Sequence, residues 1–439
     1  MMKTVSVVSI LLFSASVSLF GQPMRGAPMG SVEKNHGGPI ESAIFFTDSN
    51  RAVVNLHYRI PKNFFVFVRS NDLFRARGEL LVELLNDKGY SASRSIKPIE
   101  LTRASAREES LSDLQDAISF LLESGSYRIQ FEVKDLESGK TMVERNQTLQ
   151  VRMPASDSLA LSPPIMIEFD SPTVPSDSFR VANLGGAAMV GSYGALLFQV
   201  AHLPLGMPVV VDWNINRRED DDHLLLHLQG SRCVLIHGYP EIQVGSQLRY
   251  RIRPGKEQSI LIPLPVEKLE EGTYRLHLTL ECSGQTIRRE YPIRVLWPNR
   301  PASLSNLNLA IESLHHIATE EEIDELSSFS TSRREEGLKK FWRKRSPDTT
   351  LVYNPVMAEY YRRVDEAIRR FSTQSENDGY KTDRGRILIL FGAPARTDRV
   401  FRPSTYATEV WLYPALKKKF IFTDPNRTGN YILAETENL

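Results

Sequence analysis

Apolar and polar residues alternate with a period of two along much of the chain before Trp297, and this alternation constrains the fold more than any other feature. Its clearest instance interleaves Tyr127, Ile129, Phe131 and Val133 with Arg128, Gln130, Glu132 and Lys134. Successive side chains of a strand point to opposite faces, so this run has one core face and one wet face. Val53-Val54-Asn55-Leu56-His57-Tyr58-Arg59-Ile60, Phe64 to Val68, Ala76 to Leu85 and Thr141 to Val151 read as further strands. Asn86-Asp87-Lys88-Gly89 and Glu137-Ser138-Gly139-Lys140 supply turns between them. Repeated short strands predict an antiparallel sandwich over 41–153. The same grammar returns over 154–298, with Ile165-Met166-Ile167, Ala195 to Phe198, Val209-Val210-Val211, Leu224 to Leu228 and Val234-Leu235-Ile236. There Leu269 to Tyr274 enters the run Arg275 to Leu280 much as Leu121 to Tyr127 enters the earlier one. Two immunoglobulin-like β-sandwiches are therefore expected in tandem.

The 439 residues are 41% hydrophobic and 24% charged, which excludes a collagen, a mostly disordered chain or a cysteine-stapled miniprotein. Lys and Arg number 54 against 53 for Asp and Glu, so no net field draws the whole molecule to nucleic acid or to an anionic bilayer. With no reading motif either, no nucleic-acid partner is expected. Cys233 and Cys282 are the only cysteines, too few for a four-thiolate zinc or iron–sulfur site. They either form one disulfide or are buried separately, and neither has a neighbouring histidine to make it a nucleophile. His315 and His316 are adjacent on a helical segment and point in different directions, which argues against a metal site. Gly385 and Gly392 belong to neither a phosphate-binding nor a dinucleotide-binding pattern, so no cofactor and no metal is expected.

Lys3 precedes the apolar, small-residue segment Val5 to Phe20, which Gly21-Gln22-Pro23 ends. This is the pattern of a secretory signal peptide over 1–21, with cleavage near Gly21. An uncleaved anchor fits less well, because the segment is short and is broken by Ser6, Ser9, Ser14, Ser16 and Ser18. No cysteine follows the apolar run as a lipid attachment point. Residues 22–40, with Pro23, Pro28 and Pro39, read as a flexible lead-in. No later window approaches the roughly 20 apolar residues of a spanning helix, so no transmembrane segment is expected after cleavage. Export makes a Cys233–Cys282 bridge chemically accessible.

After Trp297-Pro298-Asn299-Arg300-Pro301 the apolar period lengthens to three or four. Leu304, Leu307, Ala310, Ile311 and Leu314 mark one helix, the Glu-rich stretch around Glu320 to Leu326 a second, and Arg333 to Lys344 a third that buries Leu338, Phe341 and Trp342. Asn354-Pro355 caps a longer helix with Met357, Tyr360, Tyr361, Val364, Ile368 and Phe371 on its apolar side. Arg386 to Phe391 is nearly continuous in apolar residues and reads as a strand covered on both faces. Thr408 to Tyr413, Lys419 to Thr423 and Tyr431 to Ala434 supply further strands, predicting a small α+β domain over 302–439.

Several uncommon blocks of this last region occur in order: Phe341-Trp342-Arg343-Lys344-Arg345, Tyr353-Asn354-Pro355, Glu359 to Val364, Gly379 to Gly385, Phe391 to Pro394 and Glu409 to Tyr413. From Leu304 to Tyr431 the chain resembles the GWxTD domain family of exported bacterial proteins. Tyr380 stands in the usual Trp position of the name-giving motif, and Ser346 where an acidic residue is common. The resemblance implies a multidomain chain, all-β and then α+β, located in the periplasm or at the outer envelope; it brings no settled activity. In that setting the acceptor pattern Asn146-Gln147-Thr148 is not expected to be glycosylated.

The motif residues are Trp342, Arg345, Tyr380, Thr382, Asp383, Arg384, Glu409 and Trp411. Asp383 and Arg384 can form a carboxylate–guanidinium network that Glu409 joins across the sheet, with Glu359 or Asp365 supplied by a helix. The leading expectation is an exported structural or protein-interaction component of the envelope. An aromatic patch at Trp342, Tyr380 and Trp411 would contact a protein partner, and Arg345, Asp383, Arg384 and Glu409 would position it. A glycan partner is the other surface ligand considered. The alternative is an envelope glycan or peptidoglycan hydrolase using Asp383 and Glu409 as paired carboxylates. Arg333, Arg334, Lys339, Lys340, Arg343, Lys344 and Arg345 form the densest basic stretch, read as solvated and internally paired or as a face for an anionic partner.

Overall fold

The computed structural model describes residues 40–47, 50–105, 113–155, 158–174, 178–204, 206–218, 224–245, 247–373, 378–400 and 406–439. The signal peptide and all of the lead-in but Ile40 lie outside the described residues.

Two antiparallel sheets enclose the first core. A three-stranded sheet carries Arg51–Ile60 between Ile40–Phe46 and Leu114–Glu123. Its partner is built on Leu73–Asn86 and Gly125–Asp135, which pair along their length. Leu56, Tyr58 and Ile60 from one sheet meet Leu80, Val82, Ile129 and Phe131 from the other. Ser91–Arg103 pairs only with Leu73–Asn86 and forms an edge of the second sheet. Polar residues and the mid-strand Pro98 keep this edge from templating another strand.

A six-stranded sheet around Tyr193–Ala201 and Arg249–Leu264 faces a five-stranded one around Val210–Arg218 and Gly272–Cys282. Phe198, Ile260 and Ile262 pack there against Ile215, Leu276 and Leu278. The bridge considered for Cys233 and Cys282 does not form, and both thiols are free. Cys233 directly precedes a strand of the six-stranded sheet, whereas Cys282 ends a strand of the five-stranded one.

The strand Arg51–Ile60 is covered on both faces. Val54, Leu56 and Tyr58 serve the first core. Val53, with Ala43 and Phe45, instead packs on Ile167, Phe179, Leu197 and Tyr250 of the six-stranded sheet. The four sheets thus stack in series around three apolar layers. In the middle layer the Asn55 amide donates to the Tyr250 hydroxyl at 3.0 Å, His57 Nε2 lies 2.7 Å from the same oxygen, and Ser119 donates to Asn55 at 2.7 Å. Gln199 both accepts from the Phe46 N–H at 2.5 Å and donates to its carbonyl at 3.0 Å, acting as an added strand partner. His57 Nδ1 has no partner, and burial lowers the imidazole pKa to about 3, so the ring stays neutral.

The described residues of the C-terminal region form five α-helices: α1 (Leu307–Glu312), α2 (Glu320–Ser328), α3 (Thr331–Arg343), α4 (Pro355–Phe371) and α5 (Asp383–Phe391). They pack on a four-stranded antiparallel sheet ordered Arg396–Val400, Ala407–Tyr413, Lys418–Asp424, Ile432–Asn438. α3 buries Leu338, Phe341 and Trp342, as its periodicity requires. Asn354 caps α4 by accepting from the N–H groups of Val356 at 3.0 Å and Met357 at 3.1 Å, while its amide donates to the Trp342 carbonyl at 2.8 Å.

The segment expected as the strand Arg386 to Phe391 is α5. Thr382 accepts the Gly385 N–H at 3.0 Å as its N-cap, and Gly392 at φ +79° ends it. An apolar run of this length does not separate a buried strand from a buried helix; here the caps at its two ends decide.

The helical region also docks on the second sandwich. The Tyr353 ring sits against Gly191 and meets Trp297 edge-on at 5.5 Å. The Val352 N–H donates to the Glu267 carbonyl at 3.2 Å, and Lys339 pairs with Glu270 at 3.1 Å.

Candidate functional site

The motif residues meet at the N-terminus of α5, and most of their side chains point inward. Thr382 caps the helix and also donates to the Gly379 carbonyl at 2.8 Å. Asp383, one residue on, accepts the Leu433 N–H at 2.8 Å and pairs with Arg386 at 3.2 Å, which ties the last strand to the helix. Arg384 reaches under the sheet to Glu409 at 3.4 Å and donates to the Gly429 carbonyl at 2.7 Å. Its guanidinium lies between the rings of Tyr431, at 4.2 Å, and Phe371, at 4.8 Å. Burial lowers the Arg384 pKa and the Glu409 charge opposes that shift.

Two glycines of the motif are required by close approach. A Cβ at Gly379 would stand 2.5 Å from the Ala367 carbonyl oxygen, and one at Gly385 only 2.1 Å from the Gly379 carbonyl oxygen. Only glycine allows the turn before α5 to lie so close to the end of α4.

Glu409 is 1% exposed. Besides Arg384 it accepts from Arg399, its partner on the neighbouring strand, at 3.1 Å and from the Trp411 indole N–H at 2.6 Å. Three donors around one buried carboxylate satisfy it as an ion and hold the sheet against α5. Glu359 and Asp365 stay outside this network. Glu359 pairs with Arg362 and Arg363, whose hydrogen bonds hold its pKa at about 2. Asp365 accepts the N–H groups of Ala302 at 2.6 Å and Ser303 at 2.9 Å.

The expected aromatic contact patch is corrected by this geometry. Trp342 is 2% exposed, Tyr380 1% and Trp411 0%, and all three belong to one apolar core. The Trp342 indole donates to the Tyr361 hydroxyl at 3.2 Å. Tyr380, in the position where Trp is usual, donates its hydroxyl to Glu312 at 3.3 Å, and its carbonyl accepts from His316 Nε2 at 2.9 Å. Burial lowers the His316 pKa to about 4. Asp383 and Glu409 do not form an open carboxylate pair either: each belongs to its own hydrogen-bond set, and Glu409 has no solvent face. Among the described residues no group of three His, Cys, Asp or Glu side chains gathers as metal ligands.

An accessible concavity lies elsewhere, in the V between α2 and α3, with a volume of about 350 Å³. The capping box of Thr319 and Glu322 starts α2, and Phe329-Ser330 turns the chain into α3. A Cβ on Gly337 would be 2.7 Å from Leu326 Cδ2, so the glycine lets α2 rest on the α3 backbone. Leu326, Phe329 and Phe341 form the floor; Glu322 and Glu325 stand on the α2 wall, and Arg333, Glu336, Lys340 and Lys344 on the α3 wall. Arg345 closes one end, lying over the Phe341 ring at 3.6 Å and pairing with Glu322 at 3.2 Å. The basic stretch is thus divided. Arg334, Lys339 and Arg345 are tied to neighbours, whereas Arg333, Lys340 and Lys344 are exposed on the cleft and, among the described residues, make no ion pair within 4.0 Å, although the Lys344 charge acts on Glu322. The sequence reading located the basic stretch but missed the cleft; Gly337 inside an otherwise strong helical pattern was its signal.

Residues 285–437 match the GWxTD domain. Among solved structures, the chain is similar to red sea bream transglutaminase at 11% identity, covering 59% of this chain and 31% of that one, with a TM-score of 0.16. The C-terminal domain of the Streptococcus agalactiae AgI/II polypeptide BspA is 8% identical over 58% of this chain and 100% of that one, at a TM-score of 0.14. Escherichia coli alpha-2-macroglobulin activated by porcine elastase is 13% identical over 58% of this chain and 22% of that one, at 0.16. Overlap at these scores carries no argument about fold or activity. No curated protein matches. Among the described residues no helix is long and apolar enough to cross a membrane.

Proposed function

We propose that this GWxTD-domain protein is an exported interaction component of the bacterial cell envelope, in which a stack of β-sheets carries a helical docking module. The observation that carries the reading is the division of labour in the C-terminal region. The motif residues around Glu409 are engaged in bracing α5 against the sheet, while the α2–α3 cleft opens to solvent between walls that carry exposed cations. A site that holds a partner combines an apolar centre with a charged rim; in the cleft the half-buried Phe329 lies between charged walls, above the buried Leu326 and Phe341. The export step rests on Lys3 and the apolar segment Val5 to Phe20. A hydrolase would need two carboxylates that both reach the scissile bond, and the sealed Glu409 gives no support to that alternative.

The test is photo-crosslinking in whole cells, with a crosslinking residue placed at Glu325 on the cleft or at Arg396 on the far edge of the C-terminal sheet. The reading expects an envelope protein captured reproducibly from position 325 and not from 396. Capture that is equal at both positions, or absent at 325, contradicts it.

A further inference from the structure

Building on the interaction reading of the α2–α3 cleft, we infer that its occupant is an acidic amphipathic helix of a partner protein, which completes the helix pair as a third helix. The trough is open along one side, and its volume of about 350 Å³ lies at the small end of the ~300–1,000 Å³ typical of ligand sites. That suits the apolar ridge of a helix entering side chain by side chain. Gly337 contributes no side chain, so Leu326 lies directly on the α3 backbone and the floor is low at mid-trough. Leu326 and Phe341 are buried and Phe329 half-buried, leaving an apolar strip between charged walls.

Charge selects the partner's flank. On the α2 wall, Glu322 pairs with Arg345 and also feels the Lys344 charge, and Glu325 stands exposed beside it. On the α3 wall, Lys340 and Lys344 are exposed and one helical turn apart. Two acidic residues spaced i, i+4 on a partner helix match that pair. Glu336 stands on the same wall, three residues after Arg333 and four before Lys340, so Lys344 is the cation of this wall farthest along the helix from it. A helix flanked by lysines would meet like charge there.

The experiment uses the full mature chain and two synthetic peptides that share one leucine-rich helical ridge, one flanked by Glu at i, i+4 and the other by Lys. Fluorescence anisotropy should show the Glu-flanked peptide binding, with affinity falling as salt rises. The doubly reversed variant Lys340→Glu, Lys344→Glu should weaken it roughly ten-fold or more and take the Lys-flanked peptide in its place. Both substitutions lie on exposed positions, and an unchanged melting temperature shows that the fold is intact. Failure of the Glu-flanked peptide to bind, equal binding of the Lys-flanked peptide to the wild type, or indifference to the charge reversal would overturn the inference. Photo-crosslinking from position 325 separates this failure from that of the broader reading. A captured partner with a silent Glu-flanked peptide removes only the acidic helix; no captured partner removes both.

Discussion

Glu409 accepts the indole N–H of Trp411, two residues along the same strand, at 2.6 Å, and both side chains face the helices. A carboxylate and an indole on the buried side of one strand define a polar point inside an apolar core, and Arg384 from α5 completes it. Removing one member of a buried pair leaves the other charged and without its partner, at about 3–5 kcal/mol. Glu409→Gln and Arg384→Ala should each lower stability by about that much in chemical denaturation. The double substitution should cost less than the sum, because the two act on one interaction.

Tyr380 uses its ring more than its hydroxyl. Its 3.3 Å bond to Glu312 is long, whereas the ring is 1% exposed among core side chains. Tyr380→Phe should cost about 0.5–1.5 kcal/mol, and Tyr380→Ala about 3–5 kcal/mol. Equal losses in urea melts would show that the hydroxyl, not the packing, holds the turn before α5.

Docking of the helical region on the second sandwich depends on one residue with no side chain. Gly191 has φ +77°, and a Cβ there would stand 2.5 Å from the Tyr353 Cβ. Gly191→Ala should therefore push Tyr353 out of its seat, costing about 1–3 kcal/mol. Limited proteolysis should then cut near Val352 and Tyr353 faster than in the wild type, while the β-sheet core stays resistant.

Acid should weaken the joint between the two sandwiches. The His57 pKa is depressed from 6.5 to about 3, so between those values the unfolded chain binds the proton that the folded chain refuses. Stability from this group is complete above pH 6.5 and falls as pH drops toward 3, by up to about 1.4 kcal/mol per pH unit. The groups around the ring are Tyr250 from the six-stranded sheet, Ala117 and Ser119 from one neighbouring strand, and Glu41, its cross-strand partner, from the other. Burial raises the Glu41 pKa, which works in the opposite direction from pH 4.5 upward. His316, at about 4, adds a separate acid-labile contribution in the C-terminal region. His57→Leu should flatten the stability profile between pH 6.5 and 4 without abolishing it. An unchanged slope in that variant would contradict the assignment to His57.

Much of this architecture was legible because alternation reports which face of a strand is buried. Tyr127 to Val133 and Thr408 to Tyr413 form strands as their patterns require, and the second pattern already places Glu409, Trp411 and Tyr413 on one side. The Asn354-Pro355 cap and the buried stripe of α3 followed from residue chemistry in the same way. Arg386 to Phe391 misled because a short apolar run has no period to read; Thr382 and Gly392 held the answer. Ser91–Arg103 passed unnoticed because an edge strand is polar on much of both faces. The stacking of the two sandwiches was signalled only by Asn55 and His57, polar residues inside an apolar strand that wait for Tyr250 from far along the chain. The aromatic residues of the motif looked like a contact patch because sequence alone does not separate a buried Trp from a displayed one.

The most direct test of the account is quantitative crosslinking mass spectrometry on whole cells producing the chain at native level. Wild type would be compared with Lys340→Glu, Lys344→Glu and with Glu409→Gln, and the melting temperature of each measured in parallel. The account predicts a reproducible envelope partner crosslinked around α2 and α3 and lost in the charge-reversed variant at an unchanged melting temperature, with Glu409→Gln lowering the melting temperature instead. A partner retained by the charge-reversed variant, or lost in Glu409→Gln while that variant melts like the wild type, would place the function at the motif and contradict the account.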